Sequence, residues 1–401
     1  MQTTQDYLLA LIILGVAAVS VGPTVAQKNY APGVTDTEIK IGQTMPYSGP
    51  ASAWGTVGRA ELAYFKMIND QGGINGRKIK LISLDDAFSP PKTVEQTRKL
   101  IEEDKVALIF SSAGVGNMAI RKYLNDRHVP QLFVLGPPDQ LNDPQHFPWT
   151  IGFLPTYHLE SKVHVRYILT HKPDARIAVL YQSDQWGKDH VSGLHDALGE
   201  KAAQLIIKEL PYELTDPTVD SQIVSLKASG ADTFYNVASP KFATQAIRKA
   251  SEIGWKPLHF LAYDSQSIGA VLEPAGLDNS IGIISANLGK DPTDPRWKDD
   301  ANTKDYLAWL QSYYPGGKAA DLYIGAGYVM PQPLVYVLRQ CGNDLSRENI
   351  MRQATNLHDV AMPWLLPGIT LNTGPTDYQP IKQLRETRFN GKTWELLNEE
   401  N

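Results

Sequence analysis

Two tryptophans stand where a ring of that size has little core to fill. Trp54 sits in the loop Tyr47-Ser48-Gly49-Pro50-Ala51-Ser52-Ala53-Trp54-Gly55, and Trp186 directly precedes Gly187. An aromatic at a loop tip offers a broad apolar face for holding a molecule without making a bond to it. Short stretches of small or polar residues recur along the chain with the same character: Ser111-Ser112-Ala113-Gly114, Leu135-Gly136, Gln182-Ser183-Asp184, Ala238-Ser239-Pro240 and Tyr263-Asp264-Ser265. Ser112 and Asp264 each precede a segment able to form a helix, so capping explains both residues as well as ligand binding does. At Ser112 the two roles are compatible, because the N–H groups at a helix start attract a carboxylate. Bond-making chemistry has no comparable support. The chain has no Gly-x-Ser-x-Gly elbow and no motif that couples a nucleophile to a base. His158, His164, His171, His190 and His195 stand apart from carboxylates and cysteines at ligand spacing; His190 and His195 are five apart, not the four that zinc helices use. No catalytic residue, metal or cofactor is expected.

The elements that position these loops alternate. Residues 39–85 read as one β-loop-α-loop-β unit, with Ile39-Lys40-Ile41-Gly42 as its first strand and a second strand ending at Asp85. Its loop lacks the Gly-Lys-Ser/Thr ending and the close glycine triplet of nucleotide-binding loops, so a small organic ligand suits it better. Ser89-Pro90-Pro91 opens a helix running to about residue 103, and strands follow at 106–110 and 129–135 with a helix at 117–126 between them. The stretch from 136 to 155 is rich in turn residues and marks a crossing to a second half. That half has the same rhythm: helices from 157, 187, 220 and 241, and strands at 176–181, 205–207, 233–237 (which contains Asn236), 259–262 and 281–284. The expected fold class is α/β, as two doubly wound, Rossmann-like lobes whose loops converge on one cleft if their strand ends face each other. A tail adds helices over 297–313, 321–340 and 346–356 and a hairpin at Asn390-Gly391.

At 401 residues and 42% apolar composition the chain can bury two cores. A net charge of −5 without a basic run gives no support to a nucleic-acid partner. The lone Cys341 excludes an internal disulfide and reads as a core thiol. Residues 7–21 form an apolar run of signal-peptide length, which implies export with cleavage near Ala26-Gln27. No Lys or Arg precedes the run, so an uncleaved anchor remains the competing interpretation.

In order and spacing, Ser48-Gly49-Pro50, Asn69-Asp70-Gln71-Gly72-Gly73-Ile74-Asn75-Gly76, Asp85-Asp86-Ala87, Val129-Pro130-Gln131-Leu132-Phe133, Gly187-Lys188-Asp189 and Ile369-Thr370-Leu371-Asn372-Thr373 make the chain resemble one family. This is the branched-chain amino acid receptor group of type I periplasmic solute-binding proteins of ABC transporters. The resemblance implies two hinged lobes, residues 27–154 with 287–362 and residues 155–286 with 363–401. It also implies a periplasmic monomer without enzyme activity that delivers a small ligand to permease subunits. Under it, Ser112, Ala113 and Gly114 hold a ligand carboxylate, Trp54 and Trp186 sandwich an apolar body, and Asp264 takes an amino group. Gly136, Asn236 and Ala238 fall in the same cleft; Tyr157, Tyr323 and Tyr328 lie near the crossovers, where they can close its wall, although core packing explains them at least as well. The disulfide of the leucine-binding member is missing, with Phe88 at one of its positions. Pro137 and Pro138 cannot donate backbone hydrogen bonds, and the second-lobe tyrosine that the family places at about Ala238 is absent. A larger, more aromatic or more apolar ligand than leucine is therefore expected.

Overall fold

The computed structural model describes residues 28–136 and 138–397; the expected leader and Pro137 lie outside them. In the first half, β1 (Glu38–Met45), β2 (Lys78–Asp85), β3 (Leu108–Phe110), β4 (Gln131–Val134) and β5 (Thr150–Gly152) form an all-parallel sheet in the order β2-β1-β3-β4-β5. In the second, β6 (Ile177–Gln182), β7 (Ile206–Tyr212), β8 (Thr233–Val237), β9 (Leu258–Leu261) and β10 (Ile284–Asn287) pair in parallel. The antiparallel strands β11 (Arg385–Phe389) and β12 (Trp394–Leu396) extend that sheet to the order β12-β11-β10-β9-β8-β6-β7. Without this edge, both sheets have the same winding. Strand order reverses between β1 and β3 and again between β6 and β8, the places where an open α/β sheet leaves a crevice beyond its strand ends.

Helices cover both faces of each sheet, and the strands are correspondingly apolar on both sides; all three residues of β3 are fully buried. On the first sheet, α1 (Gly55–Asp70) takes one face, and α2 (Pro90–Glu102) and α3 (Gly116–Asp126) take the other. On the second, α4 (Tyr157–His171) and α5 (Gln185–Leu198) oppose α6 (Asp220–Ala228) and α7 (Pro240–Glu252). Pro90 and Pro240 open their helices, where the missing N–H would have had no helical partner. After β10 the chain returns to the α1 side of the first sheet. There α8 (Ala301–Tyr313), α9 (Leu322–Val329), α10 (Pro331–Gln340) and α11 (Arg347–Ala354) complete the core. Trp364, Leu366, Tyr378 and Ile381 belong to that same core, and only at Arg385 does the chain rejoin the second sheet.

Beyond shifts of element ends, as at the strand Ile206–Tyr212 and the helix Ala301–Tyr313, three differences from the sequence expectations matter for the fold. The turn-rich stretch 136–155 contains β5, which completes the first sheet. The strand expected over 281–284 begins at Ile284, because Gly282 adopts φ +88° and leaves Ile281 exposed. The helix expected over 321–340 is two helices, broken at Pro331, whose ring carries no N–H for the preceding turn. Cys341 is a buried free thiol that burial pushes up to about 12. Among the described residues, no helix is long and apolar enough to cross a membrane.

Candidate functional site

The loop after β1 is held by one carboxylate. Asp85 Oδ1 accepts from the N–H groups of Tyr47 (2.9 Å), Ser48 (3.2 Å) and Ala87 (3.0 Å), and Oδ2 accepts from Ser48 Oγ (2.7 Å) and Lys92 Nζ (3.0 Å). Burial opposes the charge, but these donors hold the Asp85 carboxyl well below the usual range. The loop delivers Trp54 to the start of α1, where its half-buried indole lies 5.3 Å from the Phe88 ring.

In the second half, Asp184 caps α5 by accepting from the Gly187 N–H at 3.1 Å, which fixes Trp186 in the first helical turn. A Cβ on Gly187 would fall 2.0 Å from the Gln182 carbonyl, so only glycine lets the helix start this close to its strand. Gly55 plays the same part in the first half, with 2.6 Å to the Pro46 carbonyl.

Both indoles turn to Asp264, in the short 3-10 turn after β9. Trp186 Nε1 donates to its Oδ2 at 2.7 Å, Trp54 Nε1 donates to its carbonyl oxygen at 3.3 Å, and the Tyr323 hydroxyl donates to the same carbonyl at 3.0 Å. Asp264 Oδ1 is enclosed and has no partner. Burial, with the Glu160 carboxylate nearby, pushes the Asp264 carboxyl up to about 8. Behind it, fully buried Glu160 accepts from the Tyr263 N–H at 2.8 Å and lies between His164 (3.3 Å) and His190 (3.4 Å). Burial works against a charge on His164, yet Glu160 and Glu386 raise it to about 9. Burial pushes His190 down to about 4, and its ring stacks 3.9 Å from Tyr157.

Trp54, Trp186, Asp264 and Tyr323 line a cavity of about 180 Å³ between the two sheets, walled almost wholly by carbon. It brings together eight of the residues singled out from the sequence: Trp54, Ala113, Gly114, Gly136, Tyr157, Trp186, Asp264 and Tyr323. Four others lie elsewhere, among them Tyr328, which packs against Tyr306 and Trp309 in the first core. Ser112 is fully buried, and its Oγ accepts from the Thr44 N–H at 3.0 Å inside the first sheet. Asn236 points into the second sheet, with Nδ2 3.2 Å from His259 Nε2. Ala238 is fully buried in the core beneath α6 and α7.

Two expected roles change as well. The Ala113 and Gly114 N–H groups already donate to the Thr44 and Leu135 carbonyls at 3.2 and 2.9 Å, so they are not open to a carboxylate. The Trp54 and Trp186 rings meet edge to face, 5.9 Å apart at 69°, and leave no slot between parallel faces. The cavity also uses Phe88, Gln266, Leu288, Trp364 and Trp394, none of which the sequence singled out as a site residue. Gln266 is the most accessible of them to inference, two residues beyond Asp264 in the same turn. Among the described residues, no group of three or more His, Cys, Asp or Glu side chains could hold a metal ion.

A family model described as periplasmic binding protein matches residues 38–393. The Leu/Ile/Val-binding protein homolog 1 of Brucella abortus (strain 2308) is 24% identical to the chain over 322 residues, 78% of this chain and 81% of its own. A solved branched-chain amino acid ABC transporter protein from Thermus thermophilus, with bound valine, superposes with a TM-score of 0.82 at 14% identity, covering 91% of this chain and 96% of that one. A solute-binding protein of an ABC transporter from R. palustris, in complex with benzoate, gives 0.74 at 19% identity, covering 90% and 96%. Both solved structures have the fold described above.

Proposed function

The chain belongs to the periplasmic binding protein family, and on that premise we propose that it captures one small amphiphilic organic solute between its two sheets and delivers it to the permease subunits of an ABC uptake transporter. The solute is a branched-chain or related amino acid, or an aromatic or apolar carboxylate. The observation that carries this reading is the convergence of Trp54 from the first half and Trp186 from the second on one partly unsatisfied carboxyl, Asp264, in the wall of an apolar cavity. Neither half encloses that space alone. Part of the ligand's intrinsic affinity is therefore spent on bringing the halves together. Asp264 gives the cavity its polar end. Burial holds its carboxyl toward the protonated form, which can donate to an oxygen, whereas an ammonium group would draw it back to the ionised form.

The working form is an exported monomer with residues 1–26 removed. In this reading one lobe is built on residues 27–154 and 287–362, extended by the segment from Trp364 to Ile381 that shares its core, and the other on residues 155–286 with the end of the chain. The family neighbours named for leucine, isoleucine and valine, or solved with valine and benzoate, support a ligand of this size and polarity.

A thermal-shift panel of branched-chain amino acids, aromatic carboxylates and short amides tests the proposal. A true ligand at a hundred times its dissociation constant adds about 2.7 kcal/mol to the folded state and raises the melting temperature. A panel in which no compound raises it would sink the reading. The ligand should be recovered chemically unchanged after long incubation. A second reading, a membrane-tethered sensor with the same lobes, draws on the absence of Lys and Arg before the leader's apolar run. N-terminal sequencing of the exported protein separates the two.

A further inference from the structure

The cavity does not end at the corner formed by Trp54, Trp186 and Asp264. Its lining also includes Leu288, Pro292, Ala319 and Ala320 on the crossing segments, together with Gly325 and Trp364. The charged groups in this part of the lining are already engaged. Lys290 Nζ donates to Asp300 Oδ2 at 2.7 Å and to the Pro363 carbonyl at 3.3 Å. Asp321 Oδ1 accepts from Ser267 Oγ at 3.1 Å and from the Tyr323 N–H at 2.9 Å. Asp291 Oδ2 accepts from the Trp394 N–H at 3.0 Å. What faces the space is carbon from small side chains and an indole.

Helix α9 contains two glycines, and they contrast. A Cβ on Gly327 would lie 2.5 Å from both Ala60 Cβ and the Val57 carbonyl on α1, so close helix packing requires that glycine. A Cβ on Gly325 would meet Trp364 at 3.7 Å and the Tyr306 hydroxyl at 4.0 Å, both ordinary contacts, and its φ is not positive. A glycine inside a helix is unfavourable relative to alanine. Neither packing nor backbone geometry accounts for Gly325, and its missing Cβ leaves space beside Trp364 in the cavity wall.

We propose that this space, a chamber bounded by Gly325 and Trp364, is a second subsite that receives the ligand's tail. The solute is then an amphiphile with one polar head at Asp264 and an extended apolar body, an alkyl chain or a substituted ring, that runs from the tryptophan corner to Trp364. The inference rests on the reading of the cavity as the ligand site. It goes beyond that reading by excluding a ligand whose apolar part stops at the tryptophans.

Calorimetric titration of the leaderless protein with two homologous series provides the test: unbranched alkanoates from butanoate to decanoate, and the matching 2-amino acids. In the wild type, affinity in at least one series should rise about fourfold for each methylene that enters the chamber, then level off. Gly325→Leu should move the plateau to a shorter chain. Gly325→Ala, which favours the helix and should fold in any case, should move it by about one methylene. Affinity independent of chain length, or a plateau unmoved in both variants at unchanged melting temperature, overturns the chamber and leaves the ligand site standing. If no member of either series and no compound of the thermal-shift panel binds, the ligand site falls and takes the chamber with it.

Discussion

The two halves share a winding but hold their cleft walls differently. In the second half the wall is fixed before any ligand arrives. Trp186 is almost fully buried, its helix start is capped by Asp184 and pressed onto the Gln182 carbonyl, and its indole N–H is bonded to the Asp264 carboxyl. In the first half the tryptophan is half-buried, its helix start has no side-chain cap, and its hydrogen bond, at 3.3 Å, runs to a backbone carbonyl of the other half. The acids divide in the same way. Asp85 is held ionised by its donors, while burial holds Asp264 toward the neutral form. A repeated topology has thus produced one wall that is preformed and one whose contact with the site depends on the position of the opposite half.

The strongest way to break this contrast is to press on the two helix starts. Gly187→Ala should destabilise the protein by about 3 kcal/mol and Gly55→Ala by about 2, measured by urea unfolding, since the second start is the tighter. Equal losses would remove the asymmetry. Next come the anchors. Trp186→Ala should weaken binding of the best panel compound by about 2 to 3 kcal/mol and Trp54→Ala by about 1, read by calorimetry; a larger loss at Trp54 would reverse the assignment of the walls.

The acids give a smaller effect of definite sign. The folded Asp264 carboxyl lies above its unfolded value, so the ligand-free protein retains a proton that the unfolded chain releases between about pH 4 and 8. Stability should fall as pH rises through that window, by a fraction of the 1.4 kcal/mol per pH unit that one proton allows, about half-sized because the side chain partly faces the cavity. Asp264→Asn should flatten the slope. Asp85 acts in the opposite direction, its contribution vanishing as pH falls below the ordinary carboxylate range. The smallest effect is expected from Trp54→Phe, which removes one hydrogen bond and keeps a ring, at less than about 1 kcal/mol of affinity.

Much of this fold was legible because a strand buried on both faces reads as a short apolar run between turn residues. Val106-Ala107-Leu108-Ile109-Phe110 and Thr233-Phe234-Tyr235-Asn236-Val237 are such runs. The β5 strand was not, since its three residues lie between Pro148 and Pro155 and are too few to show a period. Of the site, Trp54 and Trp186 stood out because large apolar residues in loop positions have few structural explanations, whereas capping explains Asp264 equally well and only the family resemblance pointed to it. Ser112, Asn236 and Ala238 were misplaced because which way a residue near a strand end points depends on a register of one residue, which composition does not contain. The engagement of the Ala113 and Gly114 amides follows from the bridge between Ala113 and Leu135, a pairing distant in sequence. Phe88 lies in a turn at φ +61°, and Trp364 and Trp394 arrive on the returning chain, where no periodic pattern marks a cleft residue.

Trp394 carries a consequence for biogenesis. It lines the cavity from the last strand of the second sheet, with Nε1 donating to the Gln266 carbonyl at 3.0 Å. A polypeptide interrupted before this residue could assemble most of both sheets and still lack a wall of its own binding site. On the proposed function, loss of the residues from Trp394 onward would therefore cost solute binding more than it costs assembly of the two sheets.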